Sequence, residues 1–114
     1  MLHICNAISL GMLPAGAVSA SLRITDIAAP AAYLADAEAA HGQAQSAVGH
    51  ADTAALFTAL LGRPVAPARV TLQFSPDDEY LVGQLSGPRL PEGATTLPAG
   101  ASIRWMLVTF EAGV

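Results

Sequence analysis

A Gly49-His50 pair stands directly before a helical pattern, in which Leu56, Phe57, Leu60 and Leu61 share one face and Gly62 ends the run. A histidine at the mouth of a helix can do acid–base chemistry on an anion. The first turn of a helix offers unpaired N–H groups and positive potential, which suit a phosphate. The same dipole disfavours imidazolium in the empty protein, and a bound phosphodiester reverses that preference. Such a histidine becomes an acid when its substrate arrives. Gly49 would leave the approach clear. The matching reaction is RNA-type cleavage, in which a ribose 2′-OH attacks its own phosphate and a general acid protonates the leaving 5′-oxygen. It needs no metal, and general acid catalysis is typically worth ~10²–10⁴-fold.

Two further groups lie outside the regular elements. Arg89-Leu90-Pro91-Glu92-Gly93 occupies a long loop, and Asn6 and Ser9 follow the first strand. Arg89 could neutralise a phosphate, and Glu92 could orient the histidine or the arginine. Strand-end loops and helix N-termini of mixed sheets converge at one edge, so the three groups could meet. Each also fits a plainer reading. Asn6 and Ser9 suit a turn cap. His50 suits a solvated residue beside a cap made by Asp52 and Thr53. Arg89 and Glu92 suit a surface ion pair worth little. His3, inside the first strand, reads as structural. His41, at the end of an Ala-rich helix, suits the dipole there. The run Asp77-Asp78-Glu79 reads as a solvated turn, and no metal site is expected.

The elements that must position these groups follow from periodicity. Leu2–Cys5 is predicted as a short buried strand. Val18–Ile24 alternates, with Val18, Ala20, Leu22 and Ile24 on one face. An Ala-rich helix is predicted over Asp26–Ala40, with Asp26 as the N-cap and Pro30 in the first turn. Gly42–Ser46 reads as a polar loop, and Thr53–Leu61 as the second helix. Ala68–Phe74 alternates with Val70, Leu72 and Phe74 in phase, and a hairpin with Tyr80–Ser86 is predicted across the turn at Ser75–Asp78. Residues 87–100 form a loop before a last strand over Ser102–Phe110. The order β–β–α–α–β–β–β implies an α/β chain, α+β-like, with a mixed five-stranded sheet flanked by helices in a single compact domain.

The 114 residues bound this to one domain. Hydrophobic residues make up 53% and charged ones 12%, an ordered composition. With a net charge of −4, no lysine and five arginines, the chain lacks the basic footprint of a protein that tracks duplex nucleic acid. A lone Cys5 forms no intramolecular disulfide and no cysteine-based zinc site. No run approaches the roughly 18 apolar residues of a membrane span, and no targeting signal is evident, so a cytoplasmic setting is expected.

Three motifs, ICNAISLGML (Ile4–Leu13), VGHADTAALFTALLG (Val48–Gly62) and GPRLPEG (Gly87–Gly93), occur in an order and spacing that resemble the viral anti-CRISPR ring nucleases and their CRISPR-associated relatives. The stretches ARVTLQFSPDDEYLVGQLSG and IRWMLVTFEAG also look like that family. The resemblance runs nearly end to end and is weakest over residues 14–45. It implies a metal-independent nuclease, without cofactor, that cuts cyclic tetra-adenylate, the second messenger of type III CRISPR effectors. The products would be linear di-adenylates with an initial 2′,3′-cyclic phosphate, and the result would be that ancillary effectors are switched off. It also implies a homodimer with one composite pocket across its two-fold axis, acting in the host-cell cytoplasm if viral.

By motif, His50 matches the general acid, Arg89 and Glu92 the loop pair near the scissile phosphate, and Asn6 and Ser9 the ligand contacts of the first loop. Gly49 accompanies His50 on the substrate side, and Thr53 is structural. Gly11 departs from the family, where a polar Asn can occur, and residues 94–101 are short where a helix is often found. The alternative is a non-catalytic sponge for the cyclic oligoadenylate. A sponge needs an arginine and a helix N-terminus but no acid, so His50 favours cleavage. A DNA-interacting protein is a third reading, disfavoured by the acidic balance.

Overall fold

Strand β1 (Leu2–Cys5) is the hub, because it lies between two partners and His3, Ile4 and Cys5 are all buried. The computed structural model describes residues 1–16 and 19–112. Val18, expected to open the second strand, lies outside them. The remaining elements are a 3-10 turn at Leu10–Met12, β2 (Ala20–Asp26), α1 (Pro30–His41), β3 (Gln45–Ser46), α2 (Ala51–Leu61), β4 (Glu79–Ser86) and β5 (Ser102–Ala112). The five strands form one sheet in the order β2-β5-β4-β1-β3. β1 runs parallel to β3 and β4, while β5 is antiparallel to β4 and β2. The fold is α+β with a mixed five-stranded sheet, as the element order implied.

Alternation along β4 and β5 divides the core in two. Ile4, Leu81 and Trp105 face the helices and pack with Leu34 of α1 and Ala54, Phe57 and Leu61 of α2. Cys5, Tyr80, Val82, Met106, Val108 and Phe110 face the other way, where Met12 and Phe74 cover them. Both helices therefore lie on one side of the sheet. The other side is closed by the 3-10 turn and by the segment that leads into β4.

That segment corrects a prediction. Ala68–Phe74 forms no strand, and the hairpin with Tyr80–Ser86 does not form. β4 has no free edge for it, since β1 occupies one side and β5 the other. The alternation instead serves packing: Phe74 is buried and stacks on Phe110, with its N–H donated to the Met12 carbonyl. The fifth strand comes from the predicted polar loop. Gln45 and Ser46 pair in parallel with His3 and Ile4, and two residues are too few to show a period.

The first helix begins later than expected. Its N-cap is Ala29 and Pro30 is its first residue. Pro disfavours helical backbone before it and suits the first helical position. Asp26 is the last residue of β2, and its carboxylate accepts from Arg104 Nε at 2.8 Å. The middle of the acidic run is likewise no freely solvated turn. Asp78 accepts from His3 Nε2 at 3.2 Å, and the His3 ring stacks on Tyr80. Burial works to raise the Asp78 pKa, but hydrogen bonds from His3 and the Met1 amine outweigh it and hold the carboxyl below its ordinary range. His3 is thus structural, as its place in the strand suggested.

Candidate functional site

His50 is the N-cap of α2. Its backbone is extended, with φ −110° and ψ 128°, and its carbonyl accepts the N–H of Ala54 at 3.0 Å. The imidazole makes no capping hydrogen bond. It is therefore free of the helix that holds it, and 61% of the side chain is exposed. Asp52, in the first helical turn, brings a carboxylate oxygen to 4.0 Å from Nδ1. Thr53 is buried at the same end.

His50 lines a cavity of about 320 Å³. Asp52 and Thr53 line it from α2, and Leu85 and Ser86 from the end of β4. Gly87-Pro88-Arg89-Leu90 and Ala101 complete the wall. Gly87 sets the course of this wall. Its φ of +105° is left-handed, and a Cβ there would come within 2.5 Å of the Gly100 carbonyl oxygen and 2.8 Å of Ala101 Cα. Only glycine lets the loop start and finish this close together. The remainder of the loop is turns and no helix: Ala94 N–H reaches Pro91 O and Ala101 N–H reaches Pro98 O.

His50 and Arg89 thus share one cavity, with Gly49 next to the histidine. Glu92 does not line it; this residue is exposed in the turn three positions beyond Arg89. Arg89 and Glu92 form no ion pair, and Arg89 has no carboxylate partner among the described residues. The carboxylate closest to His50 is that of Asp52, two residues along the chain, rather than the expected Glu92. Asn6 and Ser9 lie off the end of β1. Ser9 lines a second cavity with Ala47, and Asn6 lines neither.

The structure adds one residue that periodicity hid. Arg69 belongs to the covering segment and donates from Nε to the Gly49 carbonyl at 3.4 Å. A Cβ on Gly49 would meet Arg69 Cγ at 3.5 Å, an ordinary contact, so the arginine stem runs alongside Gly49. The neighbouring Ala68 N–H bonds to Val48 O at 2.8 Å and fixes the register. A second guanidinium thereby stands beside the helix N-terminus, on an exposed residue. Nothing in the alternation of Ala68–Phe74 marks Arg69 as different from any outward-facing charge. With two arginines, a helix N-terminus and an unconstrained imidazole, the arrangement can hold an anion and give it a proton.

Fold and site together define a small mixed-sheet α+β protein with a histidine and arginine cavity at a helix N-terminus. The family model for STIV B116-like proteins matches residues 2–99, and the chain belongs to that family. Among solved structures it is similar to B116 of Sulfolobus turreted icosahedral virus, with a TM-score of 0.70 and 22% sequence identity. The alignment covers 95% of this chain and 97% of the viral one, so the two share the fold from end to end. No curated protein matches. Among the described residues, no helix is long and apolar enough to cross a membrane.

Proposed function

We propose that the protein binds cyclic tetra-adenylate and cleaves it to linear di-adenylates without a metal, with His50 as the general acid. The observation that carries this reading is the common cavity of His50 and Arg89 at the N-terminus of α2. Arg89 neutralises the scissile phosphate, and the first-turn N–H groups of α2 add their dipole. The ribose 2′-oxygen attacks phosphorus and its proton passes to water. The bond from phosphorus to the 5′-oxygen breaks, and imidazolium gives that oxygen a proton. The products are a 2′,3′-cyclic phosphate and a free 5′-OH. Asp52 and Glu92 are the carboxylates available to orient the imidazole and the loop.

Two copies related by a two-fold axis match a ligand that has its own approximate two-fold symmetry. In such a homodimer Asn6, Ser9 and Glu92, which stand outside the His50 cavity of one chain, contact the ring's remaining half. The activity belongs in a cytoplasm where type III CRISPR ancillary effectors respond to the ring, and its effect is to switch them off.

The test is to incubate cyclic tetra-adenylate with wild type and with His50→Ala in excess EDTA and to resolve the products by chromatography. Di-adenylates from wild type, and binding without most of the rate in the variant, are expected. A ring that is bound but left intact by wild type makes the protein a sponge. A ring that is not bound refutes the reading.

A further inference from the structure

Asp52 is the acidic residue in the first turn of α2. An acid there is ordinary, because the helix dipole favours it. Two observations set Asp52 apart from that ordinary role. Its Oδ2 stands 4.0 Å from Nδ1 of His50, and both residues line the cavity of about 320 Å³. We propose that Asp52 is the positioning residue of the general acid: its carboxylate accepts the Nδ1–H of His50 and leaves Nε2 to protonate the departing oxygen. The inference rests on the cleavage reading above, and it chooses Asp52 over Glu92 for this task.

The backbone makes the contact possible. Residues two apart on a helix do not face each other. His50 escapes that rule because it is the N-cap, with an extended backbone at φ −110° and ψ 128°. Neither side chain is spent on the helix itself. The imidazole makes no capping bond. Among the described residues, the backbone N–H groups that bond to side chains belong to Ala44, Val48, Val65, Ser75 and Asp77, none of them in α2. The Asp52 oxygens are thus available to the ring, and the first-turn N–H groups to an anion.

The chemistry follows from the ring. An imidazole carries its two nitrogens on either side of one carbon, and their N–H bonds diverge. A carboxylate at Nδ1 fixes that nitrogen as the donor, so Nε2 is the one that takes up and releases the second proton. The same contact holds the plane of a side chain that is otherwise unheld and largely exposed. The separation of 4.0 Å is an ion-pair distance, and catalytic contacts of this kind tighten when substrate binds. Glu92 has no such place, since it is exposed in the loop and does not line this cavity.

Nitrogen NMR of labelled histidine reads the tautomer directly. The chain has three histidines, and the His50 signals are those missing from His50→Ala. In alkaline solution the wild-type proton is expected on Nδ1. In Asp52→Asn it is expected to move to Nε2, the tautomer that free histidine side chains favour. Kinetics gives the second readout. Asp52→Asn is expected to lower kcat on cyclic tetra-adenylate about tenfold, part of the ~10²–10⁴-fold that general acid catalysis is worth. KM is expected to stay level or fall, since the cavity loses a charge that opposes an anion. Asp52→Glu, which keeps the carboxylate, is expected to recover most of the rate. A folded Asp52→Asn with the kcat of wild type, or with its tautomer, overturns the positioning role and leaves the proposed function standing. So does a loss that raises KM and that Asp52→Glu does not recover, the mark of a disturbed helix end. A wild type that leaves the ring whole refutes the proposed function, and the positioning role falls with it.

Discussion

Gly83 is the point where the sheet and the site-bearing helix meet. It lies in β4 opposite Trp105 of β5, and Phe57 of α2 packs above, its ring centroid 4.8 Å from that of Trp105. A Cβ on Gly83 would stand 2.7 Å from Trp105 Cζ3 and 2.8 Å from Phe57 Cζ. Neither ring is the tip of a flexible chain, so Gly83→Ala must push one of them. Overpacking of this kind costs typically 1–3 kcal/mol. Replacing glycine in a regular element returns roughly 0.5–1 kcal/mol. The net expectation is a loss of about 1–2 kcal/mol. With a urea m-value near the lower end of the usual ~1–3 kcal/mol/M for a chain this short, the midpoint drops by roughly 1 M.

Trp105 is the only tryptophan, so its fluorescence reports both the unfolding midpoint and the local repacking. The same displacement moves α2, and with it His50, so the rate on cyclic tetra-adenylate is expected to fall in the folded variant. A Gly83→Ala protein with unchanged emission and an equal or higher midpoint would refute this packing argument.

Other consequences are as direct. Arg69→Ala is expected to raise KM for cyclic tetra-adenylate about tenfold with kcat little changed, because it removes a positive charge held on the Gly49 carbonyl next to His50 and leaves the imidazole in place; steady-state kinetics decides. Gly87→Ala meets the Gly100 carbonyl at 2.5 Å and a left-handed φ, so activity is expected to collapse with a smaller loss of stability; an active Gly87→Ala would contradict the loop geometry. Glu38 accepts from Arg63 at 2.7 Å and from Ala44 N–H at 2.8 Å, tying α1 to the chain at β3. The Arg63 hydrogen bond holds the Glu38 carboxyl below its ordinary range. A depressed folded pKa means stability that is present above the unfolded value and lost as pH falls through the folded one. Glu38→Gln is therefore expected to lose about 2 kcal/mol near neutral pH, with the gap to wild type closing as the solution is acidified below about pH 4. Thermal melts across pH measure it, and a pH-independent gap would contradict it.

The sheet was legible where its strands are long. β4 carries the apolar run Tyr80-Leu81-Val82 and β5 the run from Trp105 to Val108, both packed on two faces, and α2 shows a clear face ended by Gly62 in a left-handed conformation. The errors share a physical cause. Period two records which residues turn inward and says nothing of who accepts the backbone hydrogen bonds, so Ala68–Phe74 read as a strand when both edges of β4 were taken. β3 gains its place from the open edge of β1, a tertiary fact with no trace in Gln45-Ser46. At the candidate site, a helix start and a glycine-bounded loop single out His50 and Arg89, which line one cavity. Arg69 needed the contact with Gly49, and Asp52 was read only as a cap.

Cleavage of cyclic tetra-adenylate in excess EDTA by wild type and His50→Ala tests the central claim most directly. The account predicts di-adenylates from wild type, and from the variant a bound ring that stays whole. Equal turnover by both proteins, or a wild type that leaves the ring untouched, would contradict it.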